Sequence, residues 1–143
     1  MLKAFNELTV HQLYEILKLR SAIFVLEQQC LYQDMDDKDK HCHHLMIFED
    51  NQLAAYTRLV PGGISFSEIS IGRVITNPAY RGKGLGRKLM EQSIEACYDL
   101  FGKQPIRIGA QLYLEDFYSS LGFIQQGEMY LEDDIPHIEM LLN

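Results

Sequence analysis

The segment Arg81-Gly82-Lys83-Gly84-Leu85-Gly86-Arg87 concentrates the features that hold an anion. Its three glycines carry no Cβ, so a ligand can come close to their backbone N–H groups. Arg81, Lys83, Arg87 and the following Lys88 make it the most basic stretch of an otherwise acidic chain. Where such a turn opens a helix, the unpaired N–H groups and partial positive charge of the helix start suit a phosphate or pyrophosphate. A dinucleotide fingerprint would need glycine where Arg87 stands, and a P-loop would need Ser or Thr where Gly84 follows Lys83. On these residues alone, a glycine-rich turn entering an ordinary surface helix remains the competing reading.

Two other clusters carry groups that could do chemistry. His41-Cys42-His43-His44 places four ligand types in a row, but adjacent strand positions face opposite ways and no second cluster lies at zinc-like spacing. No metal is expected there. Near the C-terminus, Glu132, Asp133 and His137 form a dense polar group. Glu27, Glu68, Glu132, Asp133 and His137 are the candidates for a general base, each with a structural alternative.

The elements that position these residues follow from pattern. Ile69, Ile71, Val74 and Ile75 favour a strand over Phe66 to Thr76, and Pro78 ends it. Its apolar alternation slips beside Gly72 and Arg73, which predicts a β-bulge. Leu85, Leu89, Ala96 and Leu100 then repeat at helical spacing up to Phe101-Gly102. Earlier, Thr9 and Gln12 make a capping box for a helix whose apolar face is Leu13, Ile16, Leu17 and Phe24. Arg20 interrupts that face, as a rim residue reaching water or as the partner of an acidic group. Leu31 to Lys40 carries Asp34, Asp36, Asp37 and Asp39, and reads either as a solvated charge run or as an acceptor-site wall attracting an amine. Leu45–Phe48 and Leu53–Val60 form a hairpin over Asp50-Asn51. Met1–Leu8 suits an edge strand, Ile106–Ala110 a strand, Leu112–Leu121 a helix stopped by Gly122, and Phe123–Tyr130 and His137–Leu142 the last two strands. An α/β domain with a mixed sheet follows.

Composition sets the bounds. A chain of 143 residues with 47% hydrophobic residues is close to one domain, 1–143, with a sizeable core. No apolar run approaches the ~20 residues of a membrane span, and no signal pattern opens the chain, so a cytoplasmic protein is expected. A net charge of −7 argues against nucleic acid or an anionic membrane as partner. Cys30, Cys42 and Cys97 lack C-x-x-C spacing, so a disulfide framework is not expected.

Arg81-x-x-Gly84-x-Gly86 resembles the Q/R-x-x-G-x-G/A signature of the GNAT acetyltransferases, and Phe117-Tyr118-x-x-x-Gly122-Phe123 resembles their second motif. The likeness extends to the ElaA-like subfamily through Leu19-Arg20, Glu27-Gln28, Tyr32-x-Asp34-x-Asp36, His43-His44-Leu45, Gly72-Arg73-Val74 and Tyr130-Leu131-Glu132-Asp133-x-Ile135-Pro136-His137. The resemblance implies a GNAT-like, mostly antiparallel sheet of about six to seven strands, flanked by about four helices and splayed between the fourth and fifth strands. It implies direct attack of a primary amine, on a small molecule or peptide, upon acetyl-CoA. The backbone of Gly82, Lys83, Gly84, Leu85, Gly86 and Arg87, with Arg81, would hold the pyrophosphate. Val74, Ile75 and Thr76 would pair with pantetheine, and Gln111 stands where many members carry Asn beside it. Tyr118 takes the general-acid position, with Glu132 and His137 as base or acceptor-site residues. Where some members place a glutamate base, this chain has Ser70, so the family does not supply the base. A non-catalytic acyl-CoA-binding protein is the alternative, and a homodimer is compatible with the exposed strand edges.

Overall fold

The computed structural model describes residues 1–29 and 31–143; Cys30 lies outside the described residues. The first half of the chain builds an antiparallel sheet in the order β1-β2-β3-β4, from β1 (Leu2–Ala4), β2 (His43–Glu49), β3 (Gln52–Val60) and β4 (Ser70–Thr76). The second half builds another, in the order β5-β7-β6, from β5 (Ile106–Gln111), β6 (Ile124–Glu132) and β7 (Ile135–Leu142). Three α-helices accompany them among the described residues: α1 (Val10–Arg20), α2 (Leu85–Phe101) and α3 (Glu115–Ser120).

The two sheets meet only at one end. A parallel bridge joins Ile69 to Ile106, and the Arg107 N–H donates to the Ile69 carbonyl at 3.0 Å. Beyond it β4 leaves β5, because β4 carries an extra residue. Tyr56 pairs with Ile75, but Arg58 pairs with Gly72, so Arg73 and Val74 bulge out of register. Arg73 sits there at φ +50°, in the left-handed region that a long side chain seldom occupies. The alternation slip in the sequence marked this position. Arg107 clamps the closed end of the V, reaching Glu68 at 3.0 Å and Glu139 of β7 at 3.1 Å.

Helix α1 begins as its capping box predicts: Gln12 N–H donates to Thr9 Oγ1 at 3.1 Å, and Thr9 N–H to Gln12 Oε1 at 2.9 Å. Its buried face is Ile16, Leu19 and Arg20, continued by Ile23 in a π-helical segment, Ser21–Glu27, where the helix widens. Helix α2 buries Leu85, Leu89, Met90, Ser93 and Cys97 along one stripe and ends at Gly102, φ +83°. Met90 is fully buried in the main core with Ile69, Ile106 and Phe123, so Met90→Ala should cost about 2–5 kcal/mol.

Three expectations need correction. The strand leading to Thr76 begins at Ser70, because 65–68 bend away before the bridge at Ile69. Arg20 is not a rim residue. It is fully buried, donating from Nε to Asp34 and from an NH group to Asp39, both at 2.8 Å. The aspartates of Leu31 to Lys40 are therefore not a solvated run: Asp34 and Asp39 are buried against arginines.

Candidate active site

The splay between β4 and β5 opens into a cleft of about 970 Å³. One wall carries the bulged half of β4, from Gly72 to Thr76; the other carries Ile108 to Gln111 of β5 and residues of β6 and β7. Among the described residues the edge of β4 turned toward β5 has no strand partner past Ile69, so its backbone polar groups are available to an extended ligand. Val74, Ile75 and Thr76 all line the cleft.

At one end the chain turns through Pro78–Tyr80 into α2. Gly82 has φ +83° and Gly84, which caps the helix, has φ +72°, conformations in which any side chain would be strained. A Cβ at Gly86 would meet only Thr76 Oγ1, at 3.7 Å. Of this turn, Arg81 and Gly86 line the cleft, whereas Gly84 and Arg87 border a shallow depression outside it. Leu85 points into the core, leaving its backbone as the part a ligand could use. Lys83 lies over the Tyr80 ring at 5.7 Å, and Arg87 donates to Ser120 Oγ at 2.9 Å. Arg81 reaches across to Glu27 at 2.8 Å, so its guanidinium is already engaged by a carboxylate.

Tyr118 of α3 lines the cleft from below, its ring packed edge-on against Phe117 and Phe123. Burial, with neighbouring Tyr113, pushes its hydroxyl well above the ordinary tyrosine range, so it keeps its proton at neutral pH. Gln111, at the end of β5, donates from Nε2 to Gln28 Oε1 at 3.2 Å and so bridges the mouth of the cleft. His137 lies on β7, buried, with its ring stacked on Tyr130 at 5.8 Å. Its Nδ1–H donates to the Ile135 carbonyl at 2.7 Å, and its Nε2 lies 3.4 Å from Glu132 Oε2. Glu132 itself is largely exposed at the rim. Between Glu132 and Ile135, which pair, the chain reverses in a two-residue turn, Asp133-Asp134, both with positive φ. Short Asp side chains tolerate that geometry, and Pro136 fits a strand there because β5 has already ended opposite His137.

The remaining base candidates are tied down. Glu27 holds Arg81, and Glu68 holds Arg107, which keeps its carboxyl at about 2. Ser70 is buried in the cleft wall. Among the described residues the two thiols are poor nucleophiles: burial pushes Cys42 up to about 11 and Cys97 up to about 12. Among the described residues no group of three or more His, Cys, Asp or Glu is placed to hold a metal ion.

Reasoning from sequence overlooked the charged floor on the first wall. Arg20, Arg58 and Arg73 interlock with Asp34, Asp36 and Asp39, three charges against three. Arg73 donates to Asp34 at 2.9 Å while stacking over Phe24 and Tyr32 at 5.9 and 5.7 Å, which pins the bulge to the loop after α1. Burial raises the Asp36 carboxyl, but hydrogen bonds and charge from Arg58 outweigh it and hold the group at about 2. A signal existed: Arg58 stands inside the apolar run Leu53–Val60, and a charge in such a run needs buried partners.

A family model described as an acetyltransferase (GNAT) domain matches residues 11–143. The chain belongs to the GNAT acetyltransferase family. It is 42% identical over 137 residues to the protein ElaA of Escherichia coli, covering 94% of this chain and 90% of that one. The crystal structure of Escherichia coli ElaA superposes with a TM-score of 0.94, covering 100% of this chain and 97% of that one, at 39% identity. A crystal structure titled an acyl-CoA N-acyltransferase from Pseudomonas aeruginosa gives 0.95 with the same coverage at 42% identity. An aminoglycoside 6'-N-acetyltransferase complexed with coenzyme A shares the fold, at TM-score 0.71 and 14% identity over 99% of this chain and 95% of that one. The seven strands in two antiparallel sheets, parted between β4 and β5, are the GNAT architecture that the two motifs implied.

Proposed function

We propose that this protein, as one domain spanning 1–143, is an N-acetyltransferase that moves the acetyl group of acetyl-CoA onto a primary amine of a small molecule or peptide. The observation that carries this reading is the parting of β4 from β5 at the Arg73–Val74 bulge, directly beside the glycine turn that opens α2. An extended pantetheine can pair with the unpartnered edge of Val74 to Thr76 as an added strand. Its diphosphate then meets the Gly82–Gly86 turn and the start of α2. Family membership supports coenzyme A as the carrier, and that support is strengthened in a relative of the same fold that is titled as a coenzyme A complex.

In this reading the amine nitrogen attacks the thioester carbonyl carbon, the carbonyl oxygen takes negative charge, and the C–S bond breaks as the carbonyl re-forms. A backbone N–H at the bulge stabilises the oxyanion, a contribution worth ~10²–10³ in rate. Tyr118 gives its proton to the departing thiolate. The amine's surplus proton passes to His137 Nε2, directly or through water, with Glu132 stabilising the resulting cation. Gln111 releases Gln28 and offers its amide to the pantetheine.

The test is thiol release from acetyl-CoA with a panel of amines, run on the native protein and on Tyr118→Phe. The variant should keep cofactor affinity and lose turnover by ~10²–10⁴. Turnover at the native rate in Tyr118→Phe would remove the proposed acid. Tight acetyl-CoA binding with no thiol release from any amine would favour the non-catalytic binding protein instead.

A further inference from the structure

The loop from Leu31 to Lys40 carries four aspartates and invites the expectation that it attracts a cationic acceptor. Its geometry says the reverse. Asp34, Asp36 and Asp39 are consumed by Arg20, Arg58 and Arg73, and three positive charges cancel three negative ones. What this loop turns into the cleft with its charge uncancelled is Lys38. Its Nζ donates to Ser65 Oγ at 3.1 Å, and among the described residues it has no carboxylate within ion-pair distance. It is half-buried and lines the cleft together with Ser65, Phe66 and Val60. Its backbone N–H is bonded to Asp36 Oδ1 at 3.1 Å, so the neutralised network holds the residue in place. The adjoining guanidinium of Arg58 has a buried Nε–H with no acceptor. On the opposite wall Glu139 is held by Arg107, and the carboxylate facing the cleft without an arginine partner is Glu132 at the rim of β6.

We propose that Lys38 and Ser65 form the acceptor-recognition corner of the cleft and bind a carboxylate carried by the same molecule that presents the amine. The inference rests on the acetyl-transfer reading and deepens it: the acceptor is an amine that is also an acid, such as an amino acid or a compound built like one. A half-buried ammonium with a hydroxyl beside it makes charge-assisted hydrogen bonds to a carboxylate. Glu132 across the cleft then draws the ammonium end toward β6 and β7, where His137 lies. A plain polyamine finds a repelling cation where this acceptor finds a partner.

The experiment pairs each acid with its amide. Glycine, β-alanine, γ-aminobutyrate, ε-aminocaproate and phenylalanine are compared with their carboxamides by thiol release from acetyl-CoA, and by amide NMR shifts at Lys38 and Ser65 with CoA bound. At least one acid should exceed its amide by roughly ten- to hundred-fold in kcat/KM, the worth of one charged hydrogen bond. Lys38→Met should erase that preference, Lys38→Arg should restore part of it, and acetyl-CoA affinity should be unchanged in both. Amides equal to or better than acids throughout, or a preference that survives Lys38→Met, would overturn the proposal. Acids that shift Lys38 and Ser65 without any thiol release would uphold the corner and sink acetyl transfer. Brisk transfer to amines that never prefers the acids would do the opposite.

Discussion

The guanidinium of Arg73 donates from Nε to Asp34 Oδ1 at 2.9 Å, tying the bulge of β4 to the loop after α1 across 39 residues of sequence. A second bond runs from its NH group to the Asp34 carbonyl, also at 2.9 Å. These bonds hold a residue at φ +50°, which Arg adopts only where its surroundings impose it. Arg73→Met keeps the unbranched apolar stem and removes the guanidinium with both bonds to Asp34 and the longer one to Asp36, while Asp34 keeps Arg20 and Asp36 keeps Arg58. The backbone N–H proposed as the oxyanion donor should then wander. We expect kcat to fall by up to ~10², the cost of a small misplacement. Acetyl-CoA affinity should stay within a few-fold. Steady-state kinetics and calorimetric binding separate the two, and a native kcat would show that the bulge holds itself.

The proposed diphosphate site is best tested at Gly86. Gly82 and Gly84 have positive φ, so any side chain there confounds strain with lost binding. Gly86 is in the first turn of α2, where a Cβ meets only Thr76 Oγ1 at 3.7 Å. A carboxylate in a first turn favours the helix. Gly86→Glu should therefore unfold at the native denaturant midpoint or slightly above it, yet lose acetyl-CoA affinity by ~10² or more. Undiminished binding would place the diphosphate elsewhere.

The contrast between those two sites shows what a sequence carries. Turn and capping chemistry is local: Thr9 with Gln12, Asp50-Asn51, and the glycines before α2 all stand where their types announce. The bulge was legible because a slipped alternation is also local. The charged floor was not, since its bonds join residues 14 to 39 apart and leave no periodic trace. Asp34 and Asp39 in a polar run look like solvated charges until the arginines arrive from α1, β3 and β4. Tyr118 was assigned by likeness to a family and His137 as a member of the polar cluster near the C-terminus; the structure adds that both line one cleft.

In the proposed cofactor complex, Glu27 competes with the diphosphate for Arg81. The pair spans 2.8 Å, with both side chains nearly half exposed, so its intrinsic worth is about 0.2–1 kcal/mol. Glu27→Gln releases Arg81 to the phosphates and removes a negative charge from the cleft lining. CoA should bind about 1.4- to 5-fold tighter at low salt, the same free energy transferred to the ligand. The gain should fade as ionic strength rises. Weaker binding in this variant would mean that Glu27 orients Arg81 rather than restraining it.

Stability should fall with acid in two stages. His44 is buried between Tyr56 and Asp39, with Nδ1 2.6 Å from the Tyr56 hydroxyl and Nε2 3.0 Å from the Asp39 carbonyl. A carbonyl only accepts, so Nε2 carries the proton and Nδ1 accepts from Tyr56, which satisfies the neutral ring on both sides. Burial, which outweighs the raising influence of Asp39, lowers its pKa from 6.5. The unfolded chain then binds the proton first, so this contribution is complete above about pH 6.5 and drains away below it, by at most about 1.4 kcal/mol per pH unit. Asp36 acts later: with 3.8 as its ordinary value and about 2 in the fold, its contribution is complete above about pH 3.8 and is lost toward pH 2. Denaturant titrations at pH 7.5, 5.5 and 3 should show both losses. In His44→Gln, which can still donate to the Asp39 carbonyl but cannot titrate, the fall between pH 7.5 and 5.5 should shrink while the later one persists. A first stage of unchanged size in that variant would assign it to another group.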